Sequence, residues 1–149
     1  MPLKNPFDFS NKRSSIDLAS FLLVLSPLNR MTEDMKILIV DDNTDFTALL
    51  KLMLENEGFD VSLANNGEDG YSAYLLFEPD VVITDIQMPI KTGIELVGLI
   101  RGHNPRVRTV YMSADLTPFL SFLKEEQEKY GVSVLQKPFS KTELMKSIS

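Results

Sequence analysis

The chain of 149 residues is 44% hydrophobic and carries a formal net charge of −6. This length and composition predict one globular domain with a core of ordinary size. The acidic balance argues against nucleic acid as a direct ligand, because a basic stripe for phosphates is missing. The sequence contains no cysteine, which excludes disulfides and thiolate metal sites, and its one histidine, His103, excludes a histidine-rich metal site. We expect His103 to serve a structural role near a helix end.

Residues 1–34 differ in character from the rest of the chain. A polar, turn-rich stretch is followed by an apolar run at residues 18–25, LASFLLVL, with two basic residues upstream. The run is shorter than the roughly 20 apolar residues that span a bilayer, and no small-residue cleavage site of a signal peptide follows it. We predict a flexible or dispensable N-terminal extension. The alternatives are a short docking helix and a true translation start at Met31 or Met35.

From residue 35 onward, short apolar runs alternate with segments in which apolar residues recur every three or four positions. The runs are rich in β-branched residues and predict strands, whereas the three-to-four spacing predicts helices. The predicted strands cover residues 36–40, 59–64, 81–85, 107–112 and 132–136. The predicted helices cover residues 43–58, 67–77, 91–102, 116–130 and 140–148, the last opening with a Ser140–Glu143 capping box. Such alternation predicts right-handed crossovers and a parallel sheet covered on both faces.

Apolar spacing in the first helix separates a core stripe from a second apolar surface. Phe46, Leu50 and Met53 recur on one face, which we expect to pack on the sheet. Ala48 and Leu52 lie largely away from that stripe, near the acidic residues that end the first strand. They are candidates for a docking surface, although a single exposed leucine needs no special explanation.

The fourth helix is also predicted to be amphipathic. Leu120 and Leu123 are expected to face inward. Phe119 and Phe122 do not both fit the core stripe, so one of them is a candidate for an output surface. The expected solvated acidic face consists of Glu125, Glu126 and Glu128.

Four of the predicted strands end in ionisable or hydroxyl side chains: Asp41 and Asp42, then Asp85, Ser113 and Lys137. Because the carboxyl ends of parallel strands share one edge of a sheet, we expect these groups to form one site. Three carboxylates there repel one another, by about 4 kcal/mol per close pair at an effective dielectric of roughly 20, unless a cation neutralises them. An all-oxygen set suits Mg²⁺, and an ammonium and a hydroxyl suit phosphoryl oxygens. The sequence predicts a Mg²⁺-assisted phosphoryl site in which one carboxylate is a candidate nucleophile.

Four segments, ILIVDD, VVITDIQMPIKTG, TVYMSA and VLQKPF, occur in this order between residue 35 and the end of the chain. Together they resemble the receiver domain of two-component response regulators. The resemblance implies an α/β, flavodoxin-like (βα)5 fold over residues 35–149, doubly wound around a parallel sheet of strand order 2-1-3-4-5. It also implies a cytoplasmic signalling domain without a membrane span. Such a domain is a phosphoacceptor in a phosphorelay and not an enzyme in the usual sense.

The resemblance assigns roles to the acidic residues. Asp85 would accept a phosphoryl group from a sensor histidine kinase or a phosphotransfer protein. Mg²⁺ would be bound directly by Asp42, Asp85 and the backbone carbonyl of Gln87, and through a water molecule by Asp41. The modified domain would change conformation and regulate a downstream protein whose identity the sequence does not reveal.

Further roles follow for the residues around the acceptor. Lys137, expected before a cis bond to Pro138, would pair with Asp85 and then with the phosphoryl group. Ser113 would move to donate a hydrogen bond to a phosphoryl oxygen, and the small Ala114 would leave room for it. The side chains of Gln87 and Asp115 would tune how long the phosphoryl group persists.

One departure from the family pattern concerns the switch position. The aromatic residue that the family places three positions before the lysine is here Val134. An inward swing of that side chain therefore cannot occur in its usual form, which keeps a degenerate receiver, acting unphosphorylated as a binding module, as an alternative. A haloacid-dehalogenase-like phosphohydrolase fits less well, because it needs an acidic residue two positions after its nucleophile. Here Asn43 stands two positions after Asp41, and Thr44 stands two positions after Asp42. We expect either a stand-alone receiver or a fragment of a longer protein, with homodimerisation as an open possibility.

Overall fold

The sheet has the predicted topology. The structure, a computed structural model, describes residues 35–149, and the predictions for residues 1–34 lie outside that range. The strands are β1 (Lys36–Val40), β2 (Asp60–Ala64), β3 (Val81–Asp85), β4 (Arg108–Ser113) and β5 (Ser133–Gln136). They pair only in parallel, in the order β2-β1-β3-β4-β5, which confirms the flavodoxin-like fold.

Helices follow each strand in the described part of the chain. They are α1 (Thr44–Asn56), α2 (Gly67–Phe77), α3 (Gly93–His103), α4 (Leu120–Tyr130) and α5 (Lys141–Ile148). A 3-10 turn, Thr117–Phe119, precedes α4. His103 is the last residue of α3, near the helix end where it was expected, with its ring 5.9 Å from that of Tyr71. None of the helices in this range is long and apolar enough to cross a membrane.

The two central strands form the middle of the core. The whole of β3 and all of β1 except Lys36 are buried, because helices cover both faces of the sheet. On one face α1 and α5 pack through Leu50, Leu54, Leu144 and Ile148. On the other face α2, α3 and α4 pack through Tyr74, Leu96, Ile100 and Leu123. In contrast, β2 lies at the sheet edge and is only partly covered.

Side-chain caps start four of these five helices. Asn43 accepts a hydrogen bond from the Phe46 amide, and Asn66 accepts one from the Asp69 amide. The predicted capping box of Ser140 and Glu143 is present, and α3 opens with a second one that had not been predicted. Each cap satisfies backbone donors at a helix start. After β1 only residues 41–43 precede α1, so Asp41 and Asp42 are held between two rigid elements.

Two predictions for α4 are wrong. Leu120 is 59% exposed, and Glu126 is only 7% exposed and does not belong to a solvated acidic face. The buried stripe of α4 includes Leu123 and Glu126, and two hydrogen-bond donors compensate for the burial of Glu126. Its carboxylate accepts hydrogen bonds from the Tyr111 hydroxyl at 3.0 Å and from the Arg101 guanidinium at 3.0 Å. A buried carboxylate with such partners is stable, and the sequence pattern contained no sign of them.

Candidate functional site

An acidic cluster lies at the carboxyl edge of the sheet, where β1 and β3 end side by side. Val40 and Thr84 are register partners, so Asp41 and Asp85 follow at the same level of neighbouring strands. One oxygen from each of Asp41, Asp42 and Asp85 lies within 4.8 Å of the others. Asp41 is 1% exposed and Asp85 8% exposed, whereas Asp42 is open to solvent. The cluster is therefore a pocket with two buried walls and one accessible side.

Lys137 brings a positive charge to this cluster from the end of β5. Its ammonium nitrogen lies 2.6 Å from Asp41 Oδ2 and 3.5 Å from Asp85 Oδ1. The contact with Asp41 is the shorter of the two, whereas the resemblance implies Asp85 as the partner of Lys137. The peptide bond between Lys137 and Pro138 is cis, as expected. Three carboxylates and one ammonium leave a net charge of −2 when all are ionised.

The environment of Asp85 disfavours the charge of its carboxylate. Burial raises the pKa of Asp85 to about 6 from an ordinary value of 3.8, and the nearby charge of Asp41 adds to the rise. Lys137 opposes the shift through its charge and its hydrogen bond. Desolvation and like-charge repulsion both disfavour the ionised form. A cation that neutralised the cluster would remove much of this penalty.

Ser113 ends β4 and is buried beside the site. The residue before it in β4, Met112, is the register partner of Asp85 in β3. The Ser113 hydroxyl donates to the Asp115 carbonyl at 3.0 Å and lies 3.2 Å from the Asp115 amide, from which it accepts. It is therefore bonded to the loop after β4 and would have to exchange this bond to reach a phosphoryl oxygen. Ala114 and Asp115 are both exposed in that loop.

Hydrogen bonds brace the loop after β3 on both sides of Asp85. The Ile86 amide donates to the Met112 carbonyl, and the Gly93 amide donates back to the Ile86 carbonyl. Thr84 donates its hydroxyl to the carbonyl oxygen of Asp85 at 2.9 Å. Gln87 follows in this loop with an exposed side chain. These hydrogen bonds hold the backbone around the acidic cluster. Of the residues that make them, Gly93 is the one that the sequence could have indicated, because it stands in the segment VVITDIQMPIKTG.

Val134, at the position where the family places its switch aromatic residue, lies in the β4–β5 strand pair. Val134 of β5 is the register partner of Tyr111 of β4, and its side chain is half-buried. Tyr111 is fully buried, and its ring meets that of Phe122 edge to face, with centroids 6.0 Å apart. A buried aromatic ring is thus present in this region, but it comes from β4.

The donor set fits a small divalent cation. Carboxylate oxygens from three residues converge, one of them accessible from solvent, and their net charge with Lys137 is −2. Hard oxygen ligands with a solvent-accessible side are what Mg²⁺ prefers, because it keeps several of its waters. The cluster is consistent with a Mg²⁺ site.

Comparison with known proteins identifies the family. The family model described as the response regulator receiver domain matches residues 37–149. The transcriptional regulatory protein CpxR of Escherichia coli (strain K12) is 35% identical over 116 residues, covering 76% of this chain and 47% of that protein. The transcriptional regulatory protein TrcR of Mycobacterium tuberculosis is 30% identical over 112 residues, covering 74% of this chain and 42% of that protein. This chain therefore spans less than half the length of these two relatives.

A solved structure agrees with the sequence matches. The crystal structure of a response regulator receiver domain protein from Clostridium thermocellum aligns with a TM-score of 0.66 at 28% sequence identity. The alignment covers 76% of this chain and 90% of that one. Fold, acidic cluster and sequence matches agree over residues 37–149, and the chain therefore belongs to the family of response regulator receiver domains, which are phosphoacceptor signalling modules.

Proposed function

We propose that Asp85 accepts a phosphoryl group from a phosphohistidine of a histidine kinase or phosphotransfer protein, in a Mg²⁺-dependent reaction. The single observation that carries this proposal is the convergence of Asp41, Asp42, Asp85 and Lys137 at one edge of the sheet. Asp85 is the member of this set that ends the central strand β3. Its carboxylate lies close to Asp41, Asp42 and Lys137. The unit with this role is residues 35–149, and residues 1–34 are an extension to it.

The transfer exchanges one bond to phosphorus for another. A carboxylate oxygen of Asp85 attacks phosphorus, a P–O bond forms, and the P–N bond breaks with its electron pair returning to the imidazole nitrogen. The described contacts of Asp85, from the Ile86 amide and from Lys137, go to Oδ1, which favours Oδ2 as the attacking atom. The ammonium of Lys137 stabilises negative charge on the phosphoryl oxygens.

The residues that would hold Mg²⁺ are Asp42, Asp85 and the Gln87 carbonyl, with Asp41 acting through water. When bound, the cation would neutralise the cluster and polarise a phosphoryl oxygen. Because Asp85 is otherwise disfavoured as an anion, neutralisation keeps it ionised and available as a nucleophile. Water attack on phosphorus later regenerates the carboxylate, at a rate that we expect Gln87 and Asp115 to influence.

The signal would leave the site through Ser113. An aspartyl phosphate adds a charge of about −2 and new acceptor oxygens, and Ser113 can exchange its bond to the Asp115 carbonyl for one of them. The exposed Ala114 has no side chain beyond Cβ to obstruct this movement. Val134 cannot supply the aromatic swing of the family, so the loop after β4 and helix α4 are the elements that would change. The target is a downstream protein or a second copy of the chain.

Incubation with acetyl phosphate and Mg²⁺ tests the proposal. We expect one added phosphate by intact mass, stable to acid and labile to base, that EDTA suppresses and Asp85→Asn abolishes. Asp60→Asn is the matched control, since Asp60 is exposed at the opposite edge of the sheet and should leave the modification unchanged. Turnover of free phosphomonoesters would instead favour the hydrolase, and a protein that stays unmodified would favour the degenerate receiver.

A further inference from the structure

We propose that Phe46 is a positioning residue for Lys137: its ring holds the lysine ammonium at the acidic cluster and thereby sets how fast Asp85 is phosphorylated. This inference rests on the function proposed above. It adds to the site a side chain that carries no charge and lies on helix α1.

The ammonium of Lys137 contacts two carboxylates and an aromatic ring at the same time. Its nitrogen lies 4.9 Å from the centroid of the Phe46 ring, besides its contacts with Asp41 and Asp85. A cation within about 6 Å of a ring centroid is attracted by the negative face of the ring. The Lys137 side chain is only 20% exposed, so water screens this attraction less than at an open surface.

The ring is fixed by the same segments that carry the charged groups. The Phe46 amide donates to the side chain of Asn43, and the Asn43 amide donates to Asp41 Oδ1, both at 3.0 Å. The Phe46 ring also meets Phe139 edge to face, with centroids 5.8 Å apart. Phe139 follows Lys137 by two residues. The ring is therefore tied to the strand end that bears Asp41 and to the loop that bears Lys137.

The Phe46 ring restricts the flexible side chain of Lys137. A lysine has many rotamers and its ammonium readily leaves for bulk water. The Phe46 ring favours the rotamers that keep the ammonium near the acceptor, where a phosphoryl group needs a positive charge. A leucine would fill much of the same space but would lack the ring's negative face. We therefore expect the effect of Phe46 to depend on the presence of the Lys137 ammonium.

A double-mutant cycle with acetyl phosphate and Mg²⁺ tests this dependence. Phe46→Leu should slow phosphorylation of Asp85 about threefold to tenfold, the range expected for a partly buried cation–π contact, whereas Phe46→Tyr should stay within about twofold. In a Lys137→Met background, Phe46→Leu should have no further effect. An equal slowing in both backgrounds would show that Phe46 acts through the fold and would overturn the proposal.

Two further measurements separate positioning from packing and from the proposed function. Met53→Ala changes another half-buried residue of α1 on the same core face and should leave the phosphorylation rate within about twofold of wild type after correction for the folded fraction. The ring current of Phe46 should shift the NMR signals of the Lys137 ε-methylene, and Phe46→Leu should remove this shift while Phe46→Tyr keeps it. The NMR readout needs no phosphorylation, so it decides whether Phe46 positions Lys137 even if Asp85 proves not to be the acceptor or the Lys137→Met rate is below detection. Signals that Phe46→Leu leaves unchanged would refute it.

Discussion

Asp85 combines two demands that oppose each other. It ends a fully buried strand, which places it accurately, and the same burial disfavours its charge. The contact with Lys137 offsets only part of this penalty, because Asp41 shares the same ammonium at the shorter distance. The charged form of Asp85 is therefore unfavourable when no cation is bound.

The pH dependence of unfolding should reveal this penalty. In EDTA, Asp85 holds a proton up to about pH 6 in the folded state, but only up to about pH 4 in the unfolded state. Between these values the folded state binds more protons, so its stability falls as pH rises. We expect Asp85→Asn to be more stable than wild type by up to about 3 kcal/mol at pH 7.5, with a difference that shrinks toward pH 4.

Urea unfolding at several pH values measures this difference. Asp60→Asn serves as the control, since an exposed carboxylate should give a difference that hardly changes over the same range. A difference between Asp85→Asn and wild type that stays constant with pH would contradict the raised pKa of Asp85.

Gly93 shows how closely the backbone packs around Asp85. A Cβ at this position would overlap the carbonyl oxygen of Asp85 and press on the hydroxyl of Thr84. Gly98, in the same helix, has open space around it. The two glycines therefore make a matched pair for substitution.

Alanine at the two positions should have opposite effects. Gly93→Ala should destabilise the protein by about 2 kcal/mol or more, because the backbone of Asp85 must shift to admit the methyl group. It should also slow the phosphorylation of Asp85. Gly98→Ala should stabilise the protein by about 0.5–1 kcal/mol through helix propensity. Denaturant unfolding measures both; equal effects of the two substitutions would argue against close packing at Asp85.

At the scale of elements, a buried polar network joins β4, α3 and α4. Glu126 of α4 accepts hydrogen bonds from the Tyr111 hydroxyl and from Arg101, whose guanidinium also lies 3.5 Å from the centroid of the Tyr130 ring. Burial, with the nearby charge of Glu126 as a second cause, raises the pKa of Tyr111 well above its ordinary range, so Tyr111 remains a donor at every physiological pH. The network fixes α4 against the strand that carries Ser113.

Removal of the carboxylate should be far more damaging than removal of the hydroxyl. Glu126→Ala leaves a largely buried guanidinium without its counter-ion and should cost about 3–5 kcal/mol, whereas Tyr111→Phe should cost about 1 kcal/mol. Chemical denaturation measures both values. Glu125→Ala, on the exposed side of α4, should stay within about 0.5 kcal/mol of wild type. A Glu126→Ala variant as stable as that control would show that the network does not hold α4 in solution.

At the scale of the whole molecule, a cation bound at the strand-end site would couple ion binding to folding. The three carboxylates come from two strands that meet only in the folded sheet, so a cation bound there stabilises the folded state over the unfolded one. The net charge of the chain, −6, adds a general attraction for cations, and the specific site must be distinguished from it.

Magnesium should therefore raise the free energy of unfolding. At a concentration of about one hundred times the dissociation constant, a single site contributes about 2.7 kcal/mol. Asp42→Asn should largely abolish the effect, since it removes the accessible ligand of the cluster, while Asp45→Asn on the exposed start of α1 should preserve it. Thermal unfolding with increasing MgCl₂ at constant ionic strength provides the measurement. A stabilisation that is the same in all three proteins would indicate non-specific screening.

The sequence by itself determined the alternation of strands and helices, the capping box of α5 and the family. Runs of β-branched residues and three-to-four spacing depend on neighbours a few positions apart, and the strand bounds followed them within about a residue. The residues of the acidic cluster could be proposed because each ends a strand, and parallel strands end at one edge. The local sequence pattern is therefore sufficient to predict site residues whose meeting point is set by the order and direction of the strands.

Only the tertiary structure decided which partners the polar side chains meet. The sequence predicts Glu126 on a solvated acidic face with Glu125 and Glu128, yet its donors Tyr111 and Arg101 lie on other elements. The shorter contact of Lys137 with Asp41 and the ring of Phe46 beside it likewise join segments about 90 residues apart. Burial of a charged group depends on partners at close range in space, and a one-dimensional pattern of polarity does not contain those distances.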